Sequence, residues 1–157
     1  MHLKRTIPLI ALFALAAVFA AVAPAARSSH ASLVIRHQVR GCHAWSLNGG
    51  TYKTSQTLAL TRGGSLTVTN NDVMPHKLIE TSGPAVSYTR LAGRMSGMMG
   101  LKGNLPPAML GRMAASTKIT FARAGVYHFT TKPGDDYMAG IKTVGPDNVL
   151  HLVVRVG

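Results

Sequence analysis

The stretch from Ser65 to Glu80 leaves few folds open to this chain. Ser65-Leu66-Thr67-Val68-Thr69 alternates apolar and polar residues as a half-buried strand does. Asn70-Asn71-Asp72 then breaks the run, and Met74-Pro75-His76 leads into a second alternating segment, Lys77-Leu78-Ile79-Glu80. Successive strand side chains point to opposite faces, so each run buries its apolar side only against a second layer. Related runs occur at Leu33 to Val39, Thr57 to Thr61, Thr117 to Ala122, Val126 to Thr131 and Val149 to Val156. Arg62-Gly63-Gly64 reads as a hairpin turn, and Asn48-Gly49-Gly50 marks another turn after Gly41 to Leu47, which interrupts the first strand. About seven short strands with Gly-rich turns predict an all-β fold, a Greek-key β-sandwich.

From Gly83 to Ser116 the pattern gives way to Gly, Pro and Met. Only Tyr88 to Leu91 and Met109 to Ala114 have the makings of a short strand or helical turn. This stretch is expected to form a long crossover over one end or edge of the sheets. Met95, Met98 and Met99 stand at i, i+3, i+4, and Met109 and Met113 at i, i+4, so helical turns would gather each set on one face. Such a face would serve as a pliable apolar lid or as soft thioether ligands for Cu(I).

Asn70-Asn71 followed by Pro75-His76 resembles the first-histidine segment of the cupredoxins, the small copper proteins of the plastocyanin and amicyanin kind. Gly125-Val126-Tyr127-His128-Phe129-Thr130-Thr131 is similar to that family's Gly-x-Tyr-x-Phe-x-Cys strand, with Thr131 in the cysteine slot. The resemblance covers roughly residues 33 to 157 and implies a copper site fed by this corner, this strand and the loop after it. In that loop, Lys132 to Gly140 has no histidine, while Met138 falls close to the place of the family's weak axial methionine. By strand parity Tyr127, Phe129 and Thr131 share one face, so Thr131 is expected where the thiolate would sit, with His128 on the opposite face.

Residues 1–25 read as a signal peptide: Lys4 and Arg5 make a positive start, Ile7 to Val22 is almost wholly apolar, and Ala23-Pro24-Ala25 suits cleavage. Ser29-His30-Ala31 is a second candidate cleavage point. Export to the periplasm, envelope or exterior is therefore expected, with residues 33–157 as one domain. The chain has 157 residues and a formal charge of +12, and loss of Lys4 and Arg5 leaves about +10. Such a surface suits anionic partners, an envelope surface or an acidic redox protein. The helices and aromatic-basic ladders of nucleic-acid binders are missing, so no nucleic-acid partner is expected, and the chain is read as a monomer.

Copper selects imidazole, thiolate and thioether donors. His76 is the leading candidate ligand, with Met138 from the later loop. Cys42 is the chain's single cysteine, so it forms no internal disulfide and must be buried, metal-bound or paired with another chain. It is a candidate replacement thiolate, joined by His43 or His37 if the backbone bulges at Gly41; a small buried residue is the plainer role. Asp135 and Asp136 read as a turn that could supply a hard oxygen ligand. No Gly-x-Ser-x-Gly, His-Glu-x-x-His or phosphate loop occurs, and Glu80 is the one glutamate, so hydrolytic catalysis is not expected. Copper binding, for electron transfer or copper handling, is the leading expectation; a metal-free sandwich that binds the cell envelope is the alternative.

Overall fold

The computed structural model describes residues 27–37, 43–72, 74–93, 106–111, 113–133 and 150–157. Within them the chain forms nine strands and no helix: β1 Ser28–His37, β2 His43–Leu47, β3 Ser55–Asn70, β4 His76–Ser82, β5 Ser87–Ala92, β6 Met109–Leu110, β7 Ala115–Thr120, β8 Gly125–Pro133 and β9 Leu150–Val156. The expected all-β sandwich is the observed architecture. One layer is β2, β1, the second half of β3, β7 and β5; the other is the first half of β3, then β9, β8, β4 and β6. Because β3 belongs to both, the hydrogen bonding is continuous and the sheet curls over on itself.

Three sequence expectations need correction. Arg62-Gly63-Gly64 does reverse the chain, but it is no hairpin turn between paired strands. Ser55 to Leu60 pairs with β9, whereas Ser65 to Asn70 pairs with β1 and β7. Gly63 has φ +78°, and a Cβ on Gly64 would sit 2.7 Å from the Thr61 carbonyl oxygen, so this arch between layers needs both glycines. The segment around His43 does not merely interrupt β1. It returns as β2, antiparallel to β1, with His37 opposite His43. In the crossover, Met109 lies in β6 and is buried while Met113 is 54% exposed, so these two share no helical face. Met95, Met98 and Met99 lie outside the described residues.

Parity dictates the core. Leu33 and Ile35 of β1, Leu58, Leu60, Leu66 and Val68 of β3, Leu78 of β4, Tyr127 and Phe129 of β8, and Leu152 and Val154 of β9 all face inward and are buried. Phe121 makes edge-to-face contacts with Tyr127 and Phe129 at ring-centroid distances of 4.9 and 6.1 Å. The Tyr127 hydroxyl donates to the Arg123 carbonyl at 2.6 Å, which ties the β7–β8 turn to β8. His128 and His151 are exposed on the outer face, as alternation predicts.

Candidate metal centre at the loop end

The registers bring several chain segments to one end of the sandwich. β4 starts there, with His76 opposite both Leu110 of β6 and Pro133 of β8. Thr131 lies opposite Leu150, so the connection from β8 to β9 leaves and returns at this end. β1 arrives there too, since Ile35 lies opposite Asn70 and its carbonyl accepts from the Asn71 N–H at 2.8 Å. His37 and His43, the last and first residues of the β1–β2 pair, are therefore at the same end.

At this end a corner is built around Asn70, which is fully buried. Its amide nitrogen donates to the carbonyls of Met74 at 2.8 Å and Leu110 at 2.9 Å, and its oxygen accepts from the Asp72 N–H at 2.8 Å. Asp72, also buried, accepts from the Met74 N–H at 2.9 Å, so two successive Asx turns shape the bend into Pro75-His76. From the neighbouring layer, Arg90 of β5 donates to the carbonyls of Met109 at 3.1 Å and Pro106 at 2.6 Å. The Leu78 N–H donates to Ala108 at 2.9 Å, so the Pro106–Leu110 strap is held along the edge of β4 beside His76.

His76 has no exposed surface. Its Nε2 lies 3.4 Å from Oδ2 of Asp72, and its Nδ1 lies 3.5 Å from Oγ1 of Thr131, itself fully buried. Both contacts are long for hydrogen bonds. A carboxylate is only an acceptor, so the arrangement that suits Asp72 has a proton on Nε2, and in the neutral ring of that tautomer the Nδ1 lone pair faces the Thr131 hydroxyl. The residue in the slot where the resemblance puts a thiolate thus meets the imidazole, on the inward face that strand parity predicts for it. Nothing local in the sequence assigns these roles to Asp72, Asn70 or Arg90. The i, i+4 spacing of Asp72 and His76 was the available signal, but it is meaningful only once the turn between them is known.

Of the other candidate ligands, His43 is placed here by its backbone, while Cys42 and Met138, like Asp135 and Asp136, lie outside the described residues. Among the described residues no group of three His, Cys, Asp or Glu side chains converges to hold a metal ion. One imidazole, one alcohol and one carboxylate do not make the soft donor set copper prefers. The described part alone does not fit a copper ion, and a fit requires donors from the adjoining segments.

No family model matches the sequence, and no curated protein matches it. Among solved structures the fold is similar to that of a purple cupredoxin from Nitrosopumilus maritimus, at 19% identity and TM-score 0.40 over 80% of this chain and 98% of that one. It is also similar to an amicyanin mutant in the Cu(I) form, at 17% identity and TM-score 0.37 over 80% and 82% of the two chains. A cysteine protease inhibitor from Entamoeba histolytica is similar at 7% identity and TM-score 0.40, over 66% and 86%. These likenesses concern the fold, and the function has to be argued from this chain's own residues.

Proposed function

We propose that the protein is an exported copper-binding protein that takes up the ion at the loop end of the sandwich, with His76 as anchoring ligand. One observation carries this reading: the described ends of the segments that bear Cys42-His43, His76 and Met138 all lie at that end. Bound copper would supply a soft Lewis-acid centre capable of one-electron chemistry. Asp72 would fix the His76 tautomer by accepting from Nε2, as a carboxylate commonly does for a metal-binding histidine, and leave Nδ1 as the donor atom. Cys42 and Met138 would provide the thiolate and thioether. Thr131 in the slot beside His76 offers an alcohol, which is a weak ligand for copper, and this favours copper storage or delivery over electron transfer.

The metal-free sandwich is supported by a different observation, that both imidazole nitrogens already face polar partners in a closed interior. Titration with Cu(I) under reductant, and separately with Cu(II), decides between them. Copper binding predicts one tight site, weakened at least tenfold by His76→Ala and by either Cys42→Ser or Met138→Leu. Thr131→Cys, which puts a thiolate next to Nδ1, should add an intense visible band with Cu(II). Uptake that is weak and unchanged in all these variants would overturn the copper reading and leave the metal-free one.

A further inference from the structure

The end of the sandwich opposite His76 is built from the Arg62-Gly63-Gly64 arch, the β7–β8 turn, the start of β1 and the finish of β9. These pieces are stitched by backbone bonds: Arg62 N–H to the Gly157 carbonyl at 3.3 Å, Gly63 N–H to Phe121 at 2.8 Å, and Phe121 N–H to Gly64 at 3.0 Å. Four exposed arginines border that seam. Arg62 donates through Nε to the Ala122 carbonyl at 3.2 Å, which lays it beside Arg123. The Arg27 guanidinium lies against Gly157, 2.9 Å from where a side chain there would begin. Arg155 sits between Ala59 and Val126, and Val126 is 42% exposed.

Among the described residues no acidic side chain lies at this end, where the Gly157 terminus sits against Arg27 and within reach of the Arg62 N–H. The chain has five in all. Asp72 is buried at the other end and Glu80 is half-buried in the middle of β4, opposite Phe129, while Asp135, Asp136 and Asp147 belong in sequence to the connection that starts and finishes at the other end. The apolar run Ile7 to Val22 enters the fold through Arg27, with four residues between them, a reach of about 15 Å. Cleavage after Ala25 keeps Arg27 and all of β1, whereas cleavage at Ala31 would cut away Ser28 and His30, which pair with Leu60 and Ser65.

We infer that this arginine end is a docking surface for anionic phospholipid headgroups, holding the exported domain against the membrane it has just crossed with the His76 end turned outward. Charge complementarity and the entry point of the apolar leader select a lipid surface over a folded acidic partner. Each arginine at such a surface strengthens binding about fivefold. The inference is independent of whether copper binds at the far end.

Protein secreted with its own leader is sedimented with phosphatidylcholine vesicles, with vesicles containing phosphatidylglycerol, and with soluble polyphosphate as competitor. Binding to the anionic vesicles alone is expected, with a loss of about 100-fold in the Arg62, Arg123, Arg155→Gln triple variant. The Arg36, Lys53, Lys118→Gln triple, which removes the same charge elsewhere, should lose less than about fivefold. Because Arg62 also bonds Ala122, Arg123→Gln with Arg155→Gln is compared as a pair, with thermal melts confirming the fold. Equal losses in the two triples, equal binding to neutral vesicles, or tight polyphosphate binding with no vesicle binding would each overturn the assignment.

Discussion

Asn70→Ala tests how the corner that presents His76 is held. The substitution removes two donated bonds, to Met74 and Leu110, and one accepted from the Asp72 N–H, all between 2.8 and 2.9 Å at a position with no exposed surface. A hydrogen bond is worth about 1 kcal/mol net, and a buried partner left without one adds its desolvation penalty. Met74 is only part-buried, so water can reach its carbonyl, whereas Leu110 is fully buried and its carbonyl loses the Asn70 donor with no water to replace it. The sum is a loss of about 3 kcal/mol, or about 10 °C in melting temperature for a domain of this size. Asn71→Ala is the control, because Asn71 is exposed and its role in the corner is its backbone N–H to Ile35, which alanine keeps. It should change stability by less than about 0.5 kcal/mol. Urea denaturation with both slopes compared gives the answer. An Asn70→Ala loss below about 1 kcal/mol, or one matched by Asn71→Ala, would refute the argument that this side chain organises the corner.

Two further tests address backbone and charge. Gly93 has φ +79° and a Cβ there would lie 2.5 Å from the Ala115 Cα, whereas Gly49 has φ +74° with nothing within 4 Å. Gly93→Ala should therefore cost at least about 3 kcal/mol and Gly49→Ala only about 1 kcal/mol, and similar values from thermal melts would show that the close packing of β5's end on β7 is wrongly described. The Tyr88 phenol is pushed up to about 12, by burial first and then by the Glu80 carboxylate. A raised folded value means that Tyr88 contributes stability that is intact below pH about 10 and is lost as pH rises through about 12. Since the ring is only half-buried, solvent screening reduces that loss to about 1 to 2 kcal/mol. Ultraviolet titration should show Glu80→Gln lowering the Tyr88 midpoint and Tyr88→Phe removing it; a midpoint indifferent to Glu80→Gln would sink the electrostatic part of the explanation.

The alternation in Leu33 to Arg36, Ser65 to Thr69 and Val126 to Thr131 was enough to give the all-β class and the inward faces, because parity is a property of the backbone and needs no partner. That Thr131 faces inward was legible for the same reason, whereas its nearness to His76 was implied only by the resemblance. The partner of each strand was not legible. Arg62-Gly63-Gly64 has the composition of a hairpin turn, and only the competing registers of β9 with Ser55 to Leu60 and of β7 with Ser65 to Asn70 make it an arch between layers. His43 likewise reads locally as a break in β1, and becomes β2 because Leu47 to His43 finds Leu33 to His37 across a five-residue connection.

What the sequence determined by itself was therefore periodic or compositional: the sandwich, the cationic surface, the histidine after the Asn-Asn corner, and a chain with a single thiol. What only the tertiary structure decided was adjacency. Asp72 and Arg90 acquire roles because a turn folds one onto the His76 imidazole and a neighbouring layer carries the other to the Pro106–Leu110 strap. Four arginines spread from Arg27 to Arg155 become one surface because two parallel strand pairings and an arch bring their elements to the same end. Local pattern fixes which way a side chain points, whereas the residue it meets depends on contacts between segments tens of residues apart, which no local pattern encodes.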